Sequence, residues 1–369
     1  MRLRITFLAV TLVLAANSVA VAQPQWCSPP YAITQTFQGG ASAWSLCWRW
    51  SNGPGLIISH AYFRPSANGP WINLLWEGRV SQIFVPYHTG QPRYHDVNFG
   101  FGAIPLNAND CPSSVGGTVI GTASEVCKQV KDRGLAWKDH NKVRRGEELV
   151  LWGVLNAANY NYVIEWTFRD DGVVMGRVGA TAVNLPGVPK ETHMHDPMWR
   201  LDVDLNGSCC DTVMRVIHGP ENAVTGAVTD SMPAVTAEGG FVWDPVAYTG
   251  LHVVDAALKN SKNHVTGYHL MPLREGTSRH KESFTSADLW VSAYNGSEMF
   301  ADLLPTYVAP PQNVQNADVV LWYTGGLHHI YRDEDGDYAG NLWKGTALLM
   351  WTGFTMKPMN LFDATPFYP

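Results

Sequence analysis

The chain is 369 residues long, carries a formal net charge of −6, and is 46% hydrophobic but only 16% charged. That acidic balance argues against nucleic acid as a partner. Beyond the first 22 residues no apolar run approaches the roughly 20 residues that a bilayer-spanning helix needs, so no membrane span is expected.

In chain order, Met1-Arg2-Leu3-Arg4 leads into an apolar stretch from Ile5 to Ala16 and the small-residue pattern Ala20-Val21-Ala22. This predicts a signal peptide over residues 1–22 and a secreted or periplasmic mature chain over 23–369, organised as one domain. All six cysteines, Cys27, Cys47, Cys111, Cys127, Cys209 and Cys210, lie in the exported part, where disulfides are expected. Their spacing leaves many pairings open. Short runs rich in Val, Ile, Tyr, Phe and Trp then recur between turn residues: GLIISHAYF, INLLWEG, SQIFVPY, ELVLWGVL, YVIEWTF, VVMGRVGATAV, DVVLWYTGGLHHI and ALLMWTGFTM. Such runs read as strands. Asp171-Gly172 between two of them is a hairpin signal, and only HVVDAALKN offers a helix. The expected fold class is all-β, a large antiparallel β-sandwich.

The stretch THMHDPMWRLDVDLNG, residues 192–207, concentrates the chemistry. Side chains at i and i+2 of a strand share a face about 6.5–7 Å apart, so His193 and His195 are placed to close on one ion and Asp202 and Asp204 on another. Two imidazoles are an incomplete set, since a tightly held transition metal usually takes three or four protein ligands. Adjacent His328 and His329 in NADVVLWYTGGLHHIYRDED face opposite sides of a strand, so one of them can serve. An isolated HxH is more often an ordinary strand feature, and Asp202 and Asp204 alone read as a solvated face.

Taken together, these motifs resemble the copper amine oxidases, the quinone-dependent primary-amine oxidases. The likeness runs over residues 44–369 and includes the HxH, the RLDVDLNG run, Asp318 to Asp335, the end MWTGFTMKPMNLFDATPFYP, and GLIISHAYFRP with LLWEGRVSQIFVPY. The register of Arg332, Glu334 and Asp335 on the family pattern selects His329 as the third copper ligand. The resemblance implies Cu(II) on His193, His195 and His329, and topaquinone made from Tyr160 of NAANYNY, beside Asn159. It implies a calcium-type peripheral site on Asp202, Asp204, Asp318 and the carbonyls of Val203 and Val319. Asp96 of YHDVNFGFG matches the base that removes the amine's Cα proton, Tyr94 the channel gate, and Tyr87 a tyrosine that hydrogen-bonds the cofactor ring. The resemblance also implies a Cys111–Cys127 disulfide and a homodimer. Cys27 with Cys47 is a further expected pair, and Cys209-Cys210 has no counterpart.

Several positions depart from the family pattern. Asn156 stands where Thr is usual, Asn161 where an acid is usual, and Asn98-Phe99 replaces a Gly-acid-Tyr run. Pro310 and Gln312 replace acids of a second peripheral site. Few mature residues precede the likeness, and the interval from Tyr160 to His193 is shorter than usual, which leaves the substrate channel reshaped. The expected activity is oxidation of a small primary amine by O2 to aldehyde, ammonia and hydrogen peroxide. The rival readings are an exported copper-binding or interaction module that kept the fold, and a carbohydrate-binding sandwich using some of the 15 tryptophans.

Overall fold

Residues Tyr160–Arg169 show how the sequence builds the sandwich. Tyr160, Tyr162, Ile164, Trp166 and Phe168 are buried on one face, while Asn161 and Val163 between them are half-buried and Glu165 and Thr167 carry polar side chains on the other face. Period-two alternation of this kind puts one face of a strand into the core. The computed structural model describes residues 26–37, 41–157, 160–181, 183–184, 191–247, 249–274, 279–332, 335–339, 342–344 and 350–363. The expected signal peptide, Asn159 and Glu334 lie outside the described residues.

Among these residues the chain is all-β, with a ten-stranded sheet, a twelve-stranded sheet and a small three-stranded one. The pairings within the two large sheets are antiparallel. One core cluster joins the two large sheets: Trp166 of one meets Trp199 of the other edge-on at 5.2 Å, and Phe354 packs on both. Gly78 is required at this contact, because a Cβ there would lie 2.5 Å from the Trp166 ring. A fully buried aromatic of this size is of the kind whose truncation costs roughly 3–5 kcal/mol.

His193–Val203 is a central strand of the ten-stranded sheet, paired with Ile72–Pro86 on one side and with Val319–Thr324 and Leu327–His329 on the other. All eleven of its residues are buried. Its odd-numbered residues face the other sheet, while Met198 on the reverse face is covered by Phe284, Ala301 and Leu304. The INLLWEG and SQIFVPY runs are one continuous strand, Ile72–Pro86. Two register shifts against His193–Val203 leave Ser81 and Trp76 as extra residues on the longer strand, so the alternation of His193–Val203 itself is unbroken.

The hairpin at Asp171-Gly172 forms as expected, with Gly172 at φ +81°. The HVVDAALKN reading is corrected: Gly250–Lys259 is a strand paired on both sides, with Asp211–His218 and Val265–Leu273. The β-branched pair Val253-Val254 and two partner edges outweigh a weak helical pattern. The only α-helix among the described residues is the single turn Leu304–Tyr307, with Pro305 in its first turn.

Cys111 is bonded to Cys127 and Cys27 to Cys47, with Cα separations of 5.6 and 6.0 Å. Closing a loop of the Cys111–Cys127 size contributes about 3 kcal/mol in the chain-entropy picture. Cys209 and Cys210 are bonded to each other on an exposed turn. No helix among the described residues is long and apolar enough to cross a membrane.

Candidate metal centre

Two neighbouring strands and one facing strand assemble the centre. His193 and His195 project from the start of His193–Val203 toward the other sheet, and His329 lies directly opposite His193. Their ligand atoms all fall within 4.8 Å of one another. Tyr160 and Tyr162 enter from the facing sheet. The Tyr160 hydroxyl is 2.8 Å from His193 Nε2 and 3.2 Å from His329 Nδ1.

Each imidazole is anchored through its other nitrogen. His193 Nδ1 donates to the Glu191 carbonyl at 2.9 Å, His195 Nδ1 to the Tyr162 hydroxyl at 2.9 Å, and His329 Nε2 to Asp335 Oδ2 at 2.7 Å. These partners assign the tautomers and leave His193 Nε2, His195 Nε2 and His329 Nδ1 with their lone pairs turned to a common point. His195 Nε2 is buried with no hydrogen-bond partner, an arrangement that costs free energy unless something else binds there. Burial lowers the pKa of all three, His193 to about 4, so each is a neutral imidazole near neutrality and fit to ligate. Burial opposes ionisation of Asp335, but its bonds from His329 and Arg332 hold it below the ordinary carboxylate range. Three neutral imidazoles suit a redox-active divalent ion.

Asp96 opens the short turn Asp96–Phe99 and accepts a 2.7 Å hydrogen bond from Tyr162. A continuous chain therefore runs from Asp96 through Tyr162 to His195. Burial raises the Asp96 pKa to about 6 against the opposing effects of Tyr162 and His95. The turn is pinned from behind. Gln82 Oε1 accepts from the Val97 amide, and Asp302 accepts from Gln82 and Asn98 and pairs with His95 at 3.2 Å. Asn98 is thus a donor to a carboxylate, where an acid would meet repulsion from Asp302.

Tyr87 stacks on His193, with centroids 4.3 Å apart and planes at 10°, and its hydroxyl pairs with that of Tyr160. Burial pushes its pKa up to about 12. Tyr94 meets Tyr87 edge-on at 6.2 Å and Phe99 at 6.4 Å, and Phe99 is exposed. Asn161 is paired with Asn156 on the strand face away from Tyr160, and its amide donates to Thr181.

Asp202, Asp204 and Asp318 bring carboxylate oxygens within 4.8 Å of one another at a separate place. They lie on the reverse face of the sheet, because Asp202 is seven positions on from His195 and an odd step changes face. Burial and mutual repulsion raise Asp202 to about 7 and Asp318 to about 6, and burial alone raises Asp204 to about 6. Asn73 donates to Asp204 and Arg200 to Asp202. Val203 and Val319 face each other across the strand pair beside them.

Sequence reasoning missed Tyr162, Asp302 and Gln82. The spacing of Tyr162, two residues from Tyr160 on a strand, was a readable signal; Asp302 and Gln82 carried none.

A family model described as copper amine oxidase, enzyme domain, matches residues 41–368, and the chain belongs to that family. It is 22% identical over 436 residues to copper-containing amine oxidase gamma 1 of Arabidopsis thaliana, covering 95% of this chain and 59% of the relative. Against the histamine oxidase of Arthrobacter globiformis it is 25% identical over 288 residues, covering 65% of this chain and 41% of that protein. The crystal structure of a copper-containing benzylamine oxidase from Hansenula polymorpha superposes with a TM-score of 0.69 at 17% identity, over 96% of this chain and 65% of that one. The chain thus spans about three fifths of the first of these relatives.

Proposed function

We propose that the protein oxidises a primary amine: amine, O2 and water give aldehyde, ammonia and hydrogen peroxide. His193, His195 and His329 would hold Cu(II), and Tyr160 would be the precursor of topaquinone. The observation that carries this reading is the Tyr160 hydroxyl held at 2.8 and 3.2 Å from two of three converging imidazole nitrogens. When bound, copper supplies one-electron chemistry with dioxygen, and the quinone supplies an electrophilic carbonyl that accepts two electrons from the amine.

The chain's own residues do the rest. Asp96 removes the Cα proton; Tyr162 occupies its Oδ2, so the proton goes to Oδ1. Tyr87 orients the ring of residue 160 and shields the first imidazole by stacking on it. Tyr94 and Phe99 stand at the approach to Asp96, and burial of Asp96, Tyr160, Tyr162 and the three imidazoles keeps water from the reacting atoms. Specificity among amines lies in these loop residues.

Apoprotein given Cu(II) in air is expected to develop a visible quinone band that phenylhydrazine converts to an adduct. Copper bound with no band would point to the copper-binding module instead. No copper bound would defeat the reading altogether.

We further propose that Asp202, Asp204 and Asp318, with the carbonyls of Val203 and Val319, take a calcium-type cation, which hard oxygen ligands suit. All three carboxyls have folded pKa values of about 6 to 7, raised above 3.8. They therefore bind protons more tightly when folded. The stability they contribute is full below pH 4 and is lost as pH rises through 6 to 7. Calcium should replace those protons. The thermal midpoint is expected to rise with calcium at pH 8 and scarcely at pH 4, with the gain absent in Asp318→Asn. An equal shift at both pH values would refute this assignment.

A further inference from the structure

The strands that carry the imidazoles have a reverse face with its own set of soft ligands. Tyr87, which bridges to His193 just past the end of Ile72–Pro86, forms one inward row with His193 and His329. Residues one step along each strand point the other way. Met194 lies directly opposite His328, and the His88 amide donates to the Thr192 carbonyl, placing His88 on the other flank of the same strand. Directly opposed side chains have Cβ atoms about 4.5–5.5 Å apart and diagonal ones about 7–8 Å. His88, Met194 and His328 therefore share one small area.

Three details set this cluster apart from a chance pair of surface histidines. The rings of His88 and His328 stack with centroids 5.3 Å apart and planes at 30°. His328 Nε2 is buried without a hydrogen-bond partner. Met194 is only 5% exposed, while His88 is exposed and its ring can turn. Glu191, the carboxylate nearby in sequence, is engaged by the Thr89 hydroxyl at 2.6 Å.

We propose that Met194, His88 and His328 form a second copper site, for the monovalent ion, on the back of the strands that carry the inner imidazoles. A thioether with two imidazoles is a soft ligand set that favours Cu(I) over hard divalent ions. The inner trio lacks sulfur and is enclosed, whereas this set has one ligand in solvent, through which an ion can be taken up and released. The inference goes beyond the amine-oxidation reading and does not depend on quinone formation.

The test is an anaerobic titration of the full-length apoprotein with Cu(I) in competition with bicinchoninate. The wild type is expected to bind two equivalents, and X-ray absorption of that protein should show a copper–sulfur contribution. Met194→Leu, close in volume, and His88→Ala, at an exposed position, should each weaken one equivalent at least tenfold. Both should leave the Cu(II) spin-resonance spectrum of the inner centre unchanged. A single equivalent in the wild type, or two equivalents with unaltered affinity in both variants, overturns the proposal. Because the readouts are copper stoichiometry and sulfur ligation, failure to form the quinone is a separate result.

Discussion

Tyr160→Phe protein is expected to bind Cu(II) and yet show no amine oxidation and no quinone band. The hydroxyl of Tyr160 lies 2.8 and 3.2 Å from two of the three imidazole nitrogens, and in the proposed reading it is the phenol that would be oxidised to the cofactor. Removing it leaves all three imidazoles anchored by Glu191, Tyr162 and Asp335. His195→Ala should behave in the opposite way, losing copper while the phenol survives, since a ligand is gone from a three-imidazole set. Mass spectrometry of the peptide containing residue 160 and copper analysis of both variants separate the two losses. Turnover by Tyr160→Phe protein with copper present would end the proposed mechanism.

Asp96→Asn is expected to slow amine-dependent reduction by about 10²- to 10⁴-fold, the usual contribution of a positioned proton acceptor. The amide oxygen still accepts from Tyr162, so copper content and the quinone band should persist. The pH profile supplies a second signature. Burial raises the Asp96 pKa to about 6, so the carboxyl is protonated and inactive below that pH and ionised above it. Wild-type reduction should rise through about pH 6 to a plateau, and Asp96→Asn should lack that limb. Stopped-flow reduction under nitrogen measures both. An Asn variant with wild-type rates would remove Asp96 from its role.

The sandwich was legible because alternation along runs such as YVIEWTF is a local property that burial of one face turns directly into strands. That His193 and His195 share a face was legible for the same reason, whereas alternation left His328 and His329 open and only the family resemblance selected His329. What could not be read is what arises between distant segments. Asp302 clamps the turn of Asp96 from some two hundred residues away, and nothing in its neighbourhood marks it. The Gly250–Lys259 strand was misread because its partners, which decide the matter, are invisible in a nine-residue window. Cys209 and Cys210 were left open because adjacency predicts neither bonding to each other nor to a remote partner.

The His193–Val203 strand works as a two-sided ruler. Its parity sends one set of candidate ligands toward the facing sheet and another to the reverse face, so the count between His195 and Asp202 is constrained as strictly as the residues themselves. Deleting a single codon within 196–201 would turn the aspartates inward or the histidines outward, and no substitution nearby could repair it. Homologues that vary freely in loop length should therefore keep this interval fixed or change it only by pairs.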